Sequence, residues 1–329
     1  MKKQIILSGI QASGKLHLGN YFGAIKQYLE LQNNSLNETY YFIADFHALT
    51  TIKDANLLRH YVEEAALDYL ALGLNPDKAT FFCQSKVPEV TELAWILSTV
   101  TGMGLLERAH SYKDKIAKGL KPNVGLFYYP ILMAADILIY KANLVPVGSD
   151  QVQHIEITQD IAELFNNTFQ SEILVRPEVR FNQFVKVPGV DGHKMSKSYH
   201  NTIDLHLQGQ ALKKRVMSIV TDSLALEAPK NPDTCTVFTL YSLFATENEK
   251  TELANRYRAG GLGYGEVKKL LLEKIETYFA KYHQRRSELE KNRDYIQEVL
   301  KKGAIRARET AVKTLDECKR ACGLICPTR

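Results

Sequence analysis

Gln4-Ile5-Ile6-Leu7-Ser8-Gly9-Ile10-Gln11-Ala12-Ser13-Gly14-Lys15-Leu16-His17-Leu18-Gly19-Asn20 begins as a β-rich run, crosses a loop of small residues and enters helical spacing over residues 20–31. Small side chains at such a turn let backbone N–H groups and a helix N-terminus approach phosphate. Working outward, β-rich runs at 40–44, 80–82 and 144–147 alternate with helix-length segments at 55–72 (closed by Gly73), 91–100 and 130–141. That alternation predicts an α/β fold, a doubly wound parallel sheet flanked by helices, with the quoted turn where such a sheet binds nucleotides. After about residue 205 the β-branched runs thin out. The stretch around Glu252 and residues 268–274, 288–302 and 306–320 read as successive helices of mixed charge.

At 329 residues the chain exceeds the size at which one hydrophobic core stops growing, so two domains are expected, 1–204 and a mostly helical 205–329. With 45% hydrophobic and 24% charged residues it matches neither a disordered nor a fibrous chain. No apolar run approaches the ~18 residues of a membrane span, and the short apolar stretch after Met1-Lys2-Lys3 does not make a signal peptide, so no membrane association is expected. Five cysteines, an odd number in a long chain, suit a reducing compartment, and a cytoplasmic location is expected. The net charge of +5 is unevenly spread. Residues 1–204 hold 19 Lys+Arg against 21 Asp+Glu, while 205–329 hold 23 against 16. A basic appendage on a neutral body fits a polyanionic partner, although a charged helical surface reads the same way.

Four further stretches carry chemistry. Gly9-x4-Gly14-Lys15 follows the phosphate-loop pattern of nucleotide kinases and GTPases up to the lysine, but Leu16 lacks the hydroxyl that would ligate Mg2+ there. Lys194-Met195-Ser196-Lys197-Ser198 follows Pro188-Gly189 and Asp191-Gly192. Two lysines three apart on such a loop can fold over a triphosphate and follow charge onto a departing pyrophosphate, though a plain basic surface turn has the same composition. In Tyr129-Pro130-Ile131-Leu132-Met133-Ala134-Ala135-Asp136, residues Tyr129, Met133 and Asp136 share one helix face, and a lone acid on an apolar face needs a partner, structural or ligand. Cys318, Cys322 and Cys326 recur every four residues without the close pairs of a metal site, and packing is the favoured reading.

His17-Leu18-Gly19-Asn20 resembles the HIGH signature of class I aminoacyl-tRNA synthetases in the variant form of the tryptophanyl members, and Lys194–Ser198 is identical to the KMSKS signature of the same class. The resemblance implies a Rossmann-fold catalytic domain and an α-helical anticodon-binding domain, with homodimeric assembly. It implies that ATP, accompanied by Mg2+, contacts Gln11, Ala12, Ser13, Gly19, Asn20, Gly148, Ser149, Asp150, Val187, Lys194, Met195, Ser196, Lys197 and Ser198. It implies that Lys194, Lys197 and His17 are catalytic residues, and Lys113 or Lys115 would match a family loop that reaches the triphosphate. Tyrosyl and tryptophanyl members share the Tyr129-to-Asp136 helix and a following Asp150-Gln151, but tyrosyl members carry Gln where this chain has Met133. The implied substrates are therefore L-tryptophan and tRNA(Trp). Asp136 would accept the indole N–H, Met133, Val145, Val147 and Leu7 would form apolar walls, Tyr129 and Gln151 would hold the amino-acid end, and His47 would lie near the indole. No resident metal is implied.

Overall fold

The structure is a computed structural model describing residues 3–12, 14–109, 123–148, 151–181 and 187–324. Five strands, β1 (Gln4–Ile10), β2 (Asn37–Ile43), β3 (Ala79–Cys83), β4 (Leu144–Val147) and β5 (Glu178–Phe181), form one sheet in the order β3-β2-β1-β4-β5, every pair parallel. The order reverses between β1 and β4. In such sheets the crevice at the carboxyl ends of the strands flanking this reversal is the ligand site. β2 is buried over Tyr40–Ile43, as a central parallel strand covered on both faces must be. The expected doubly wound sheet is present, with β5 added at its edge.

The residues divide into two compact units. The first comprises residues 1–14, 28–182 and 289–329. Its helix Ala55–Leu72 starts at Asp54, whose carboxylate accepts the N–H groups of Asn56 and Leu57. Its helix Val124–Leu138 starts at Asn123, which accepts the Leu126 N–H, and carries Pro130 within it. The helix Arg293–Ala321 belongs to this unit because it lies on the sheet. A Cβ on Gly303 would sit 1.8 Å from the Phe81 carbonyl oxygen of β3, so only a glycine lets the two backbones come this close. Arg308 clasps the buried Glu89 carboxylate through Nε at 2.9 and 3.1 Å and a terminal nitrogen at 2.6 Å, a bidentate pairing with fixed geometry. Cys318 is fully buried in the same core, and burial pushes its thiol up to about 12; Cys326 lies outside the described residues.

The second unit comprises residues 15–27 and 183–288. Its helices Gly209–Met217, Thr236–Ser242, Glu247–Ala259 and Tyr264–Glu290 carry the expected α-rich character. Tyr21 and Phe22, on the helix that follows His17, make edge-to-face contacts with Phe244, Tyr278 and Phe279. Among the described residues no helix is long and apolar enough to cross a membrane.

Candidate active site

In the first unit a cavity of about 420 Å³ opens at the carboxyl ends of β1, β2 and β4. Leu7 of β1 and Val145 and Val147 of β4, two residues apart and so on one sheet face, supply apolar wall. Met133 and Asp136 come from Val124–Leu138, together with Tyr129 one turn earlier. Gln11, Ala12, Gly148, Gln151 and His47 also line it. Every residue assigned above to the tryptophan site therefore converges on one cavity.

Its polar focus is Asp136, 2% exposed. Burial pushes its carboxyl upward, while His47 and Gln84 pull it back. His47 Nε2 lies 2.9 Å from Asp136 Oδ2; a carboxylate only accepts, so this nitrogen carries the proton. Gln84 Nε2 donates to both oxygens, at 2.9 and 2.8 Å. The partners that a lone acid required are thus an imidazole and an amide. The Tyr129 hydroxyl is 2.6 Å from His154 Nε2, and burial raises the phenol to about 12, so it stays protonated. Gln84 and His154 were not singled out in the sequence, where a single Gln at a strand end or His on a helix carries no pattern.

In the second unit His17 precedes the helix at Leu18–Asn20 and forms an antiparallel bridge with Asp204. Asn20 Oδ1 accepts the His17 N–H at 3.1 Å, so this side chain is a cap. The His17 imidazole is buried, and its Nδ1 has no partner among the described residues. Burial, with Lys197 nearby, lowers its pKa to about 4 against a smaller opposing effect of Asp204, so the ring is neutral at pH 7. Met195 Sδ accepts the Gly19 N–H at 3.4 Å, which joins the two signature motifs directly.

The Lys194–Ser198 segment leaves a tight hairpin. Met195 N–H donates to Val187 O at 2.9 Å and Gly189 N–H to His193 O at 2.7 Å. Asn201, 2% exposed, locks it: its Oδ1 accepts the Ser196 N–H at 2.8 Å, and its amide donates to Asp191 Oδ1 at 2.8 Å and Lys194 O at 3.1 Å. A Cβ on Gly189 would fall 2.3 Å from Asn201. This backbone lock leaves Lys194, Lys197 and Ser198 exposed while Met195 and Val187 are buried. Asn201 also escaped the sequence reading. Ser13, Ser149, Asp150, Lys113 and Lys115 lie outside the described residues. The site residues thus form two groups, Gln11, Ala12 and Gly148 with the cavity in the first unit, and His17, Gly19, Asn20, Val187 and Lys194–Ser198 in the second.

A doubly wound sheet whose first strand leads to His17–Asn20, with Met195 of a KMSKS loop seated on Gly19, defines a class I aminoacyl-tRNA synthetase. The model of a family described as tRNA synthetases class I (W and Y) matches residues 1–280. The chain is 53% identical over 320 residues to a tryptophan–tRNA ligase of Rhodopirellula baltica, covering 97% of this chain and 99% of that one. It is 51% identical over 320 residues to one of Fusobacterium nucleatum, covering 97% and 98%. The solved structure of the Campylobacter jejuni tryptophanyl-tRNA synthetase, in complex with ADP and tryptophan, superposes with a TM-score of 0.92 at 48% identity, over 98% of this chain and 100% of that one. The chain belongs to the tryptophanyl-tRNA synthetase family.

Proposed function

We propose that this chain activates L-tryptophan with ATP and passes the tryptophanyl group to the 3′ end of tRNA(Trp), releasing AMP and diphosphate. The observation that carries this reading is the buried carboxylate Asp136 on the cavity wall, held by His47 and Gln84 with an acceptor site to spare. Tryptophan's ring has one polar feature, its N–H. A site built to accept it leaves that remaining acceptor site of Asp136 buried and unfilled when phenylalanine binds, a source of rejection. Support comes from the Campylobacter jejuni relative, whose structure contains ADP and tryptophan.

In the first step a tryptophan carboxylate oxygen attacks the α-phosphorus, the new O–P bond forms as the bond to the β-phosphate oxygen breaks, and pyrophosphate leaves. The carboxylate is already ionised, so no protein base is needed, and acceleration comes from positioning and electrostatics. Lys194 and Lys197 offset the charge that grows on the departing pyrophosphate. His17, a neutral ring at pH 7, serves as a hydrogen-bonding partner for phosphate rather than as a cation. In the second step a terminal ribose hydroxyl attacks the acyl carbon and AMP leaves. Mg2+ would accompany ATP as the counter-ion of its phosphates. The basic helical region after residue 204 faces tRNA, the protein works as a homodimer, and it acts in the cytoplasm.

ATP–pyrophosphate exchange with each amino acid tests the reading. Tryptophan alone should support rapid exchange. Faster exchange with tyrosine, or ATP hydrolysis without any amino acid, would refute it.

A further inference from the structure

Asp136 is oriented by a residue outside both signature motifs. Gln84, 1% exposed, opens the short turn Gln84–Lys86 directly after β3. Its Oε1 accepts the Phe46 N–H at 3.1 Å. That contact fixes which end of the amide is which, so the Nε2 group must face Asp136, where it reaches both carboxylate oxygens. The turn is in turn fastened to the helix Asp45–Ala48. Ser85 N–H donates to Asp45 Oδ1 at 2.9 Å and the Ser85 hydroxyl to Asp45 Oδ2 at 2.5 Å. His47 and Gln84, the two side chains on Asp136, therefore sit on segments joined to each other by three hydrogen bonds.

We propose that Gln84 is a positioning residue for substrate selection: its amide holds both oxygens of Asp136 so that the carboxylate remains a fixed acceptor for the ring N–H of tryptophan. This deepens the tryptophan reading above and rests on it. The choice of an amide has a chemical reason. A lysine or arginine here would satisfy the carboxylate but cancel the charge that attracts the indole N–H. An apolar residue would leave a desolvated carboxylate free to take up a proton, and a protonated acid can present a donor to a donor. The ionisable groups around Asp136 are His47 and Asp45 from the helix Asp45–Ala48 and Tyr140 beyond its own helix. His47 favours the ionised form and Asp45 opposes it, which leaves the neutral Gln84 to reinforce the imidazole.

The test compares wild-type full-length protein with Gln84→Met, which keeps the length without polar atoms, and Gln84→Glu. Exchange is measured between pH 5.5 and 9 with tryptophan and with 3-benzothienylalanine, an isostere whose ring sulfur replaces the N–H. In Gln84→Met the KM for tryptophan should rise about tenfold, with kcat and the KM for ATP within about twofold, the pattern of lost binding common to ground and transition states. Its preference for tryptophan over the isostere should shrink. Its acid limb of kcat/KM should move to higher pH, because Asp136 without the amide protonates more readily. Gln84→Glu regains a donor only when protonated, so its kcat/KM for tryptophan should instead rise as pH falls. Undiminished discrimination and a wild-type pH profile in Gln84→Met would overturn the proposal, as would proportional loss of every parameter. If a melting curve shows that this variant is unfolded, the Gln84→Glu profile decides, and a wild-type-like slope overturns it. Wild-type protein that does not activate tryptophan would refute the function itself, whereas failure confined to the variants would refute the role of Gln84 alone.

Discussion

Asp136→Asn conserves size and removes one charge, and its effect can be worked from the contacts. In the native site three N–H contacts converge on the carboxylate, two from Gln84 and one from His47. Each carboxylate oxygen has two acceptor sites, so capacity remains for the indole N–H. An asparagine has one acceptor oxygen. Because Gln84 Nε2 reaches both positions, the new amide nitrogen faces a donor whichever way it is flipped. The substrate then loses a charge-assisted hydrogen bond worth about 1.5–3 kcal/mol. At about 1.4 kcal/mol per tenfold, the KM for tryptophan should rise roughly 10- to 150-fold. The indole contact is common to ground and transition states, so kcat and the KM for ATP should stay within a few-fold. Steady-state ATP–pyrophosphate exchange, with melting curves as a control for folding, measures all three. A tryptophan KM within twofold of wild type would refute the assignment of Asp136, and a collapsed kcat at unchanged KM would mean that it acts on the reaction rather than on the ring.

Lys197→Ala should slow exchange at least tenfold, about 1.4 kcal/mol of transition-state stabilisation; an unchanged rate in single-turnover assays would remove this lysine from the mechanism. The His17 ring should titrate by NMR with a midpoint about 4. A lowered folded pKa means that its contribution to stability is complete above the unfolded value near 6.5 and is lost as pH falls through the folded one, so a midpoint of 6.5 or higher contradicts its burial as a neutral ring. Gly303→Ala should destabilise the first unit by about 1–3 kcal/mol through overpacking against Phe81, despite the better helix propensity of alanine; urea unfolding that shows equal or greater stability would disprove the close approach.

Much of the fold was legible because its strongest signals are local. Strands at 4–7, 40–44, 80–82 and 144–147 were found within a few residues of their ends, since continuous β-rich runs between turn residues have few other readings. β5 was missed: Glu178-Val179-Arg180-Phe181 is short, follows Pro177 and alternates in polarity as an edge strand does. The helix expected at 130–141 begins instead at Val124, because Pro130 reads as a first-turn residue while the capping Asn123 carries the true start. The continuous helix Arg293–Ala321 was read as two, broken near Gly303. In isolation a glycine is a breaker, and only the tertiary contact with β3 explains it. At the site, Asp136, Met133 and the signature lysines were visible from spacing and resemblance. Gln84 and His154 were not, because they act on Asp136 and Tyr129, 52 and 25 residues away, and Asn201 was not, because its lock on Asp191, Lys194 and Ser196 depends on the folded hairpin rather than on any local pattern.

The helix Arg293–Ala321 has a consequence for how the protein is made. Arg308 meets Glu89 across 219 residues of sequence, and Gly303 covers the strand that Phe81 helps form. On the ribosome the first strands therefore emerge long before the helix that covers β3 exists. Closing so long a loop carries an entropic cost and slows folding. Until residues beyond 311 are clear of the exit tunnel, the apolar surface that Ala304, Ala307 and Ala311 will cover stays open to chaperones or to other nascent chains.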